Sequence, residues 1–503
     1  MSHRKCEKRD GKLISIILQV LMRAWRLLAL ELCPLAPQHA DLSKSLVGVV
    51  ESCLTANTEV GQLPPGITKI IHTERAEFAF IIMRKLSQRP IKPDTGALYE
   101  GVLKSVWKAI LCEKTDFRKA LSTSEDIAYF RSLLRIAYMA LVAQQSRTEA
   151  VPVAVCYIIL DMLDLIVAQG FKDLAQAAQS NPDTTNPEDI ALITGILQAS
   201  LRLKGIEVIH SGLGMHVGEQ GTIRAATTLY SWAEQIGVSQ NGYNDPVYGE
   251  LAVLFLLELS YVPLLAEQLA VERILGLLVT SSLSHTISNF MASGLNNPVH
   301  FPRLHNIWAR GLLPILVNLL SAIGPRIGPD VVQFLSFFGR QIEGLVESWH
   351  QQGNPITLPG VRETSTLVGI LEILRSWGVS IPSPKTKFLG NGEDTEMGNS
   401  IGPTGGISGQ LHSVFGGESN TITVDGIRFD KGTVLEGVEY LLNHKNYLAS
   451  LVVPTTQEEE EENSAVEEPK EKGGVNKLEE KVIKEMDVLR KLLTVVIGEV
   501  EKR

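Results

Sequence analysis

The segment GIEVIHSGLGMHVG, residues 205–218, sets glycines at 212, 214 and 218 behind an apolar run. Such a turn could cradle the pyrophosphate of a dinucleotide, because backbone N–H groups approach phosphate only where side chains are missing. That chemistry also needs a parallel sheet around the turn and an acidic residue ending the next strand. The flanking sequence is helical on both sides, so a glycine-rich break between helices is the expectation. Other chemistries have less to start from. There is no G-x-x-x-x-G-K-[ST] loop for a nucleotide, no H-E-x-x-H or C-x-x-C for zinc, and no G-x-S-x-G nucleophile elbow. The histidines His210, His216, His285, His300, His305, His350, His412 and His444 are scattered, and His300 and His305 bracket Phe301-Pro302 rather than sharing a helix face. They suit surface or capping roles better than a metal. Cys6, Cys33, Cys53, Cys112 and Cys156 form no pair motif, which fits a reducing compartment, and most lie in helical apolar stretches as small hydrophobes. No catalytic, metal-binding or cofactor-binding residue is assigned, and the chain does not read as an enzyme.

The elements that would position any site are helices. The chain has 503 residues, 44% apolar and 20% charged, with only 6% aromatic and a net charge of −9. Leu, Ile, Val and Ala in such a balance favour packed helices over a sheet sandwich. A pI near 5.8 argues against a general nucleic-acid binder. Between Lys12 and Trp377, apolar residues recur at three- and four-residue spacing in most long segments, giving roughly fifteen helices and no convincing strand. Start signals are Ser122 with Glu125, Asn186-Pro187, Asp245-Pro246 and Gly328-Pro329-Asp330. Stops are expected at Pro64-Pro65-Gly66, Pro90 to Pro93, Gly170, Gly237, Gly353 and Gly378, while Pro263 and Pro314 should kink or divide their helices. Trp25, Trp107, Trp232, Trp308, Trp349 and Trp377 sit at helical apolar positions, most of them as core anchors.

So much helix exceeds what one core serves, and stacking makes the core long rather than thick. The expected fold is an all-α, irregular HEAT/armadillo-like superhelical solenoid, with no clean residue-level repeat. The expected division is a solenoid over 1–379, a flexible Gly/Ser-rich insertion over 380–420 and a returning helical segment over 421–454, packed on the solenoid. An acidic linker over 455–474 and an amphipathic C-terminal helix over 475–503 complete it. TITVDGIRF offers either a hairpin around Asp425-Gly426 or an extended lead-in to the next helix. No segment reads as a transmembrane span: Leu13 to Cys33 has the length, but Arg23, Arg26 and Glu31 interrupt it. A buried amphipathic helix is expected there, with a membrane-surface helix as the alternative.

The last segment is the most specific in pattern. Apolar residues at Val475, Leu478, Val482, Met486, Leu489, Leu493, Ile497 and Val500 follow an eleven-residue period, close to the pitch of a straight helix. Such a stripe folds back on the solenoid, pairs with a partner helix or frays. Leu478, Val482, Met486, Leu489, Leu493 and Ile497 are therefore candidate partner-binding residues. From Gln457 onward there are 14 acids against 9 bases, so the acidity belongs mostly to the tail and the helical body is near neutral.

FPRLHNIWARGLLPILVNLLSAIGPRIGPDVVQFLSFFGRQIEGLVESW, residues 301–349, resembles the C-terminal region of the fungal nucleoporin 188 family. LYSWAEQIGVSQNGYNDPVYGELAVLFLLELSYVPLLAEQLAVERILGLL and VLEGVEYLLNHKNYLASLVVP are similar too, and the likeness runs from about Leu42 to Pro454. The resemblance implies a superhelical stack and a structural role in the inner ring of the nuclear pore complex, at the nuclear envelope. It implies other nucleoporins as partners, above all the inner-ring linker nucleoporin. For some members it implies transport receptors or phenylalanine-glycine repeats. Neither a cofactor nor direct nucleic-acid binding is implied. Full-length members are several times longer, so this chain, with its own Met1, corresponds to their C-terminal part, as a fragment, a split gene or a truncated gene would. The alternative is a karyopherin-like transport factor that binds cargo or phenylalanine-glycine repeats.

Overall fold

The computed structural model describes residues 13, 16–17, 19–31, 40–58, 65–87, 95–113, 116–182, 185–236, 238–240, 243–292, 302–351, 353–379, 421–424, 427–464 and 476–500. The expected insertion at 380–420 lies outside them. The architecture is a helical stack of the solenoid type. It divides into two units: residues 1–287 with 302–323, and residues 288–301 with 324–503.

The first unit contains α1 (residues 19–31), α2 (Ala40–Ala56), α3 (Pro65–Ser87), α4 (Tyr99–Glu113), α5 (Phe117–Ala120) and α6 (Ser124–Gln144). From α6 onward a repeat appears that the residues do not advertise. α6 packs on α9 (Pro187–Leu201), α9 on α12 (Val247–Ser260), and α12 on the helix formed by a π segment at Asn306–Leu312 and α17 (Leu313–Ile323). Between these helices run bent partners: α7 (Val153–Met162), a π segment (Leu163–Gln169) and α8 (Gly170–Ser180); then α10 (His210–Gln220) and α11 (Thr222–Trp232); then α13 (Pro263–Val271) and α14 (Ile274–Val279), followed by α15 (Ser282–Ala292) and the short α16 (Pro302–His305). α8 packs on α11 and α11 on α14, while the π segment at 163–169 packs on α10 and α10 on α13.

Each bend has its own chemical cause. The first is the π segment, a local register shift that leaves the helix continuous. The second is Gly221 at φ +67 and the third is Arg273 at φ +54. A left-handed arginine costs roughly 1 kcal/mol or more and persists only where packing imposes it. Glycines sit at or just after the π segments. A Cβ on Gly170 would lie 2.8 Å from the Phe117 ring, and one on Gly311 would collide with Val253. Both helices thus approach their neighbours more closely than any side chain permits.

Two of the four start signals act as expected and two are displaced. Asn186 caps α9 by accepting from the Glu188 N–H, with Pro187 at its first turn, and Gly328-Pro329 opens α18 (Gly328–Phe337). α6, however, is capped by Thr123, whose Oγ accepts from the Asp126 N–H at 3.1 Å, while Ser122 donates to the Lys119 carbonyl. Asp245 does not cap α12. It ends strand β2 (Tyr243–Asp245), which pairs antiparallel with β1 (Val238–Gln240), and its carboxylate receives Arg303. That hairpin corrects the expectation of no strand before Trp377. Pro65 starts a helix rather than stopping one, because a first-turn proline loses no hydrogen bond. Gly170 likewise lies inside a helix. Pro263 opens α13 and so divides two helices, whereas Pro314 lies inside a helix. The π segment just before Pro314 has already broken the i−4 ladder that the proline would disrupt.

The second unit holds α18, α19 (Gly339–His350), α20 (Leu358–Ser376), a hairpin β3 (Thr421–Val424) and β4 (Ile427–Asp430), α21 (Lys431–Asn443), α22 (Lys445–Leu451), α23 (Gln457–Ser464) and α24 (Lys477–Val500). The hairpin and the lead-in both exist. Val424 faces Ile427 across the turn, and Asp430, the last strand residue, caps α21 by accepting from the Gly432 and Thr433 N–H groups. Ile422, Val424, Ile427 and Phe429 are buried, and the hairpin packs on α20 and α19. The N–H of Ile356 donates to the Leu451 carbonyl and that of Val453 to the Ile356 carbonyl, tying the entry of α20 to the exit of α22.

Two helical runs, Val153–Ser180 and Pro302–Phe337, have the length and composition to cross a membrane, and half of the apolar window in each is buried in the fold. Buried windows of this kind belong to core helices, and Trp308 at 0% exposure is one of the largest buried side chains. The segment around α1 differs from expectation. Its Arg26 pairs with Glu74 and Glu77 of α3, but Leu13, Ile16, Ile17, Val20, Leu21, Trp25, Leu27 and Leu28 are exposed. The arginine face docks and the apolar face does not, the reverse of a buried amphipathic helix.

Candidate functional site

The inter-helix links of the first unit are polar rungs at near-constant spacing. Arg131 of α6 grips the Asp189 carboxylate with two hydrogen bonds of 2.6 and 2.7 Å, across 58 residues. Gln145 donates to the Ala199 carbonyl and Gln198 to Glu258, across 54 and 60 residues. Asn318 donates to Ser260 across 58. In the bent layer, Thr222 donates to the Ala168 carbonyl, Gln268 to the Gly214 carbonyl, and Tyr230 bonds Ser284, each across 54 residues. Burial raises the Glu258 carboxyl, and the hydrogen bond from Gln198 partly offsets that shift. The Tyr230 hydroxyl is likewise pushed far up by burial. These groups hold helices in register and do no visible chemistry.

The glycine motif is resolved in the same terms. Residues 206–209 form a 3₁₀ turn and His210–Gln220 form α10. A Cβ on Gly212 would meet Leu160 at 2.8 Å, and one on Gly214 would meet Leu264 at 2.9 Å. The glycines let α10 fit between the helices before and after it, so the reading as a break between helices gives way to a packed helix. No group of three or more His, Cys, Asp or Glu among the described residues could hold a metal ion. His216 lies 3.4 Å from Asp164, and His305 is buried. Cys156 is buried, Cys53 partly so and Cys112 exposed; Cys6 and Cys33 lie outside the described residues. Trp107, Trp308 and Trp349 are core anchors as expected, but Trp232 and Trp25 are about half exposed.

The stripe that offered candidate partner-binding residues folds back within the chain, the first of the three outcomes its pattern allows. Leu478, Val482, Met486, Leu489 and Leu493 each have 0% exposure, and α24 packs on α20, α21 and α23. Ile497 lies outside the described side chains. The helix begins with a reciprocal cap: Asn476 accepts from the Leu478 N–H at 2.8 Å, and its own N–H donates to Glu479 at 3.3 Å. Arg362 of α20 pairs with Glu485 at 2.9 Å, and Lys481 pairs with Glu462 of α23 at 2.6 Å. Any partner that uses this stripe must first displace α24. The acidic run before it is also ordered over Gln457–Ser464. Thr456 caps it by accepting from the Glu459 N–H, and Thr455 donates twice to the Glu459 carboxylate. That corrects the linker expectation for those residues. T-x-x-E at 456–459 is the signal that could have found it, and it is easily missed because glutamates rather than apolar residues follow.

What the first unit leaves open is an apolar surface on the bent layer. Tyr157 of α7 and Met215 of α10 are each 55% exposed, and Val271 of α13 is 81% exposed. Leu264 and Tyr261 add to it. Tyr157, Met215, Leu264 and Val271 lie on helices of the bent layer, and Tyr261 ends the straight helix α12.

Comparison with known proteins gives this architecture its context. The chain is 31% identical over 462 residues to nucleoporin NUP188 of Chaetomium thermophilum, covering 86% of this chain and 23% of that protein. It is 24% identical to nucleoporin NUP188 of Saccharomyces cerevisiae, covering 82% of this chain and 24% of that protein. The chain thus spans about a quarter of the length of the curated relatives it matches. Among solved structures, a segment of Nup188 from Myceliophthora thermophila matches with a TM-score of 0.58 and 28% identity, over 78% of this chain and 98% of that segment. Residues 102–493 match the family described as the nuclear pore protein NUP188 C-terminal domain, and the chain belongs to that family.

Proposed function

We propose that this chain is a scaffold module of the nuclear pore inner ring. In this reading its stacked helices hold segments of partner nucleoporins, the inner-ring linker nucleoporin first among them, and so support nucleocytoplasmic transport. Family membership makes it a nuclear pore component at the nuclear envelope. The observation that carries the finer reading is the exposure of Tyr157, Met215, Leu264 and Val271 on helices of the bent layer. Apolar anchors on a preorganised surface suit amphipathic helical segments, which dock through side chains one turn apart. The near-neutral helical body fits protein partners better than nucleic acid.

The test is a pulldown of inner-ring linker segments with this chain and with a Met215→Asp, Leu264→Asp variant. Recovery by the wild type and loss in the variant support the reading; no recovery by the wild type removes it. A transport factor would use the same exposed residues for phenylalanine-glycine repeats. Titration with such peptides separates the two, since a pure scaffold leaves them unbound at millimolar concentration.

A further inference from the structure

A cavity of about 210 Å³ opens in the second unit where the C-terminus of α19 meets α21 and α22. Gly437 creates the approach: its backbone lies so close to α19 that a Cβ would stand 2.6 Å from the Trp349 carbonyl oxygen. Trp349 forms a wall, with its indole N–H turned away to the Thr364 hydroxyl at 3.1 Å. Tyr440 and Tyr447 form another, their rings 6.2 Å apart at 76°, and Tyr440 is 49% exposed. Glu436 stands on the lining with no ion pair or hydrogen bond among the described residues. The loop that closes the cavity is fixed by Asn354, which donates to the Ser348 carbonyl at 3.1 Å.

The fixed charge and dipoles on this lining are mostly negative. The last turn of α19 presents the negative end of the helix dipole. Glu436 adds a carboxylate; the His444 ring lies 4.4 Å from Tyr440, so the negative lobes offered to a cation are those of Tyr447 and of the part of Tyr440 that His444 leaves uncovered. His350 is the only basic side chain on the lining. Such a site attracts a cation with a flat face. A guanidinium fits better than an ammonium, because it stacks on tyrosine and offers two parallel N–H donors to a carboxylate. We propose that this cavity binds an arginine side chain presented by a partner protein segment.

The site rests on the partner-holding reading, but its test uses a free amino-acid derivative. Failure here removes the cavity as a site and leaves the scaffold reading to its own pulldown. The experiment is saturation-transfer difference NMR on the full chain with Nα-acetyl-arginine methylamide, and with the neutral isostere Nα-acetyl-citrulline methylamide. The expected result is transfer to the arginine δ-CH₂ protons and little to citrulline. Glu436→Gln and Tyr440→Ala should each weaken binding by about fivefold or more. Both side chains are exposed, so unchanged thermal melting verifies the fold of each variant. Equal transfer to citrulline, or undiminished transfer in both variants, overturns the proposal.

Discussion

In the first unit, the polar rungs from α6 onward join residues 54–60 apart, and each straight helix packs on those a repeat before and after it and on the bent helices beside it. In the second unit, Arg362 meets Glu485 across 123 residues, and a helix near the end of the chain fills the groove of α20 and α21. The first arrangement extends a core by adding equivalent layers, so its stability is a sum of local terms. The second closes a core by bringing a distant segment back, so the loss of one segment exposes the whole groove. The first should yield locally to damage, and the second as one block.

The largest effect is expected from breaking the closure. Leu489→Asp places a carboxylate at a position of 0% exposure, a cost on the order of 5 kcal/mol. Hydrogen exchange should rise through α20, α21 and α24, while α6, α9 and α12 keep their protection. Loss of protection spreading into those three helices would end the distinction between the units.

The two arrangements also differ in how far the sequence reveals them. The stripe of α24 was legible because one helix carries it whole. Its destination was not, since no spacing tells a stripe that folds back from one that meets a partner. The repeat was hidden because equivalent positions hold different chemistry. Arginine precedes its aspartate in Arg131–Asp189 and follows it in Asp245–Arg303, and the bend is a π segment, a glycine and an arginine in turn. The glycines at 212, 214 and 218 imitated a phosphate loop because close packing and close ligand approach both require the absence of a Cβ. The cavity at Gly437 escaped notice because Glu436, Tyr440 and Trp349 converge only through tertiary packing.

A smaller but still severe effect is expected within one rung. Asp189 is 2% exposed, and Arg131→Ala leaves its carboxylate buried without its bidentate partner, a loss of about 3–5 kcal/mol. Replacing both partners with apolar residues should recover much of that. Exchange should quicken in α6 and α9 and stay unchanged in the second unit. A double variant as unstable as Arg131→Ala alone would assign the energy to packing instead of the rung.

Within the second unit, Lys431 offers a test by pH. It is 1% exposed beside Glu372, and burial lowers its pKa to about 8 from an ordinary value of 10.5. A base whose folded pKa lies below its unfolded one binds more protons when unfolded, between those two values. The stability of the wild type relative to Lys431→Met should therefore rise with pH from about 8 to about 10.5, and stay level below 8. Guanidinium melts of both proteins across that range measure the difference. A difference that falls with pH would mean that attraction to Glu372, rather than burial, sets the lysine.

The smallest effect should come from the link that spans the greatest length of chain. Arg362 and Glu485 are 2.9 Å apart, but their side chains are 56% and 29% exposed. Water screens such a pair, and ordering two long side chains offsets much of its attraction, leaving about 0.2–1 kcal/mol. A double-mutant cycle of Arg362→Ala and Glu485→Ala isolates that coupling. Its expected size is several times below the effect of Leu489→Asp, though both lie on the same contact between α20 and α24. The apolar stripe then holds the helix, and the ion pair sets only its register. A coupling above about 2 kcal/mol would reverse those roles and make the closure sensitive to salt, whereas the buried stripe by itself predicts little change in α24 protection as salt is raised.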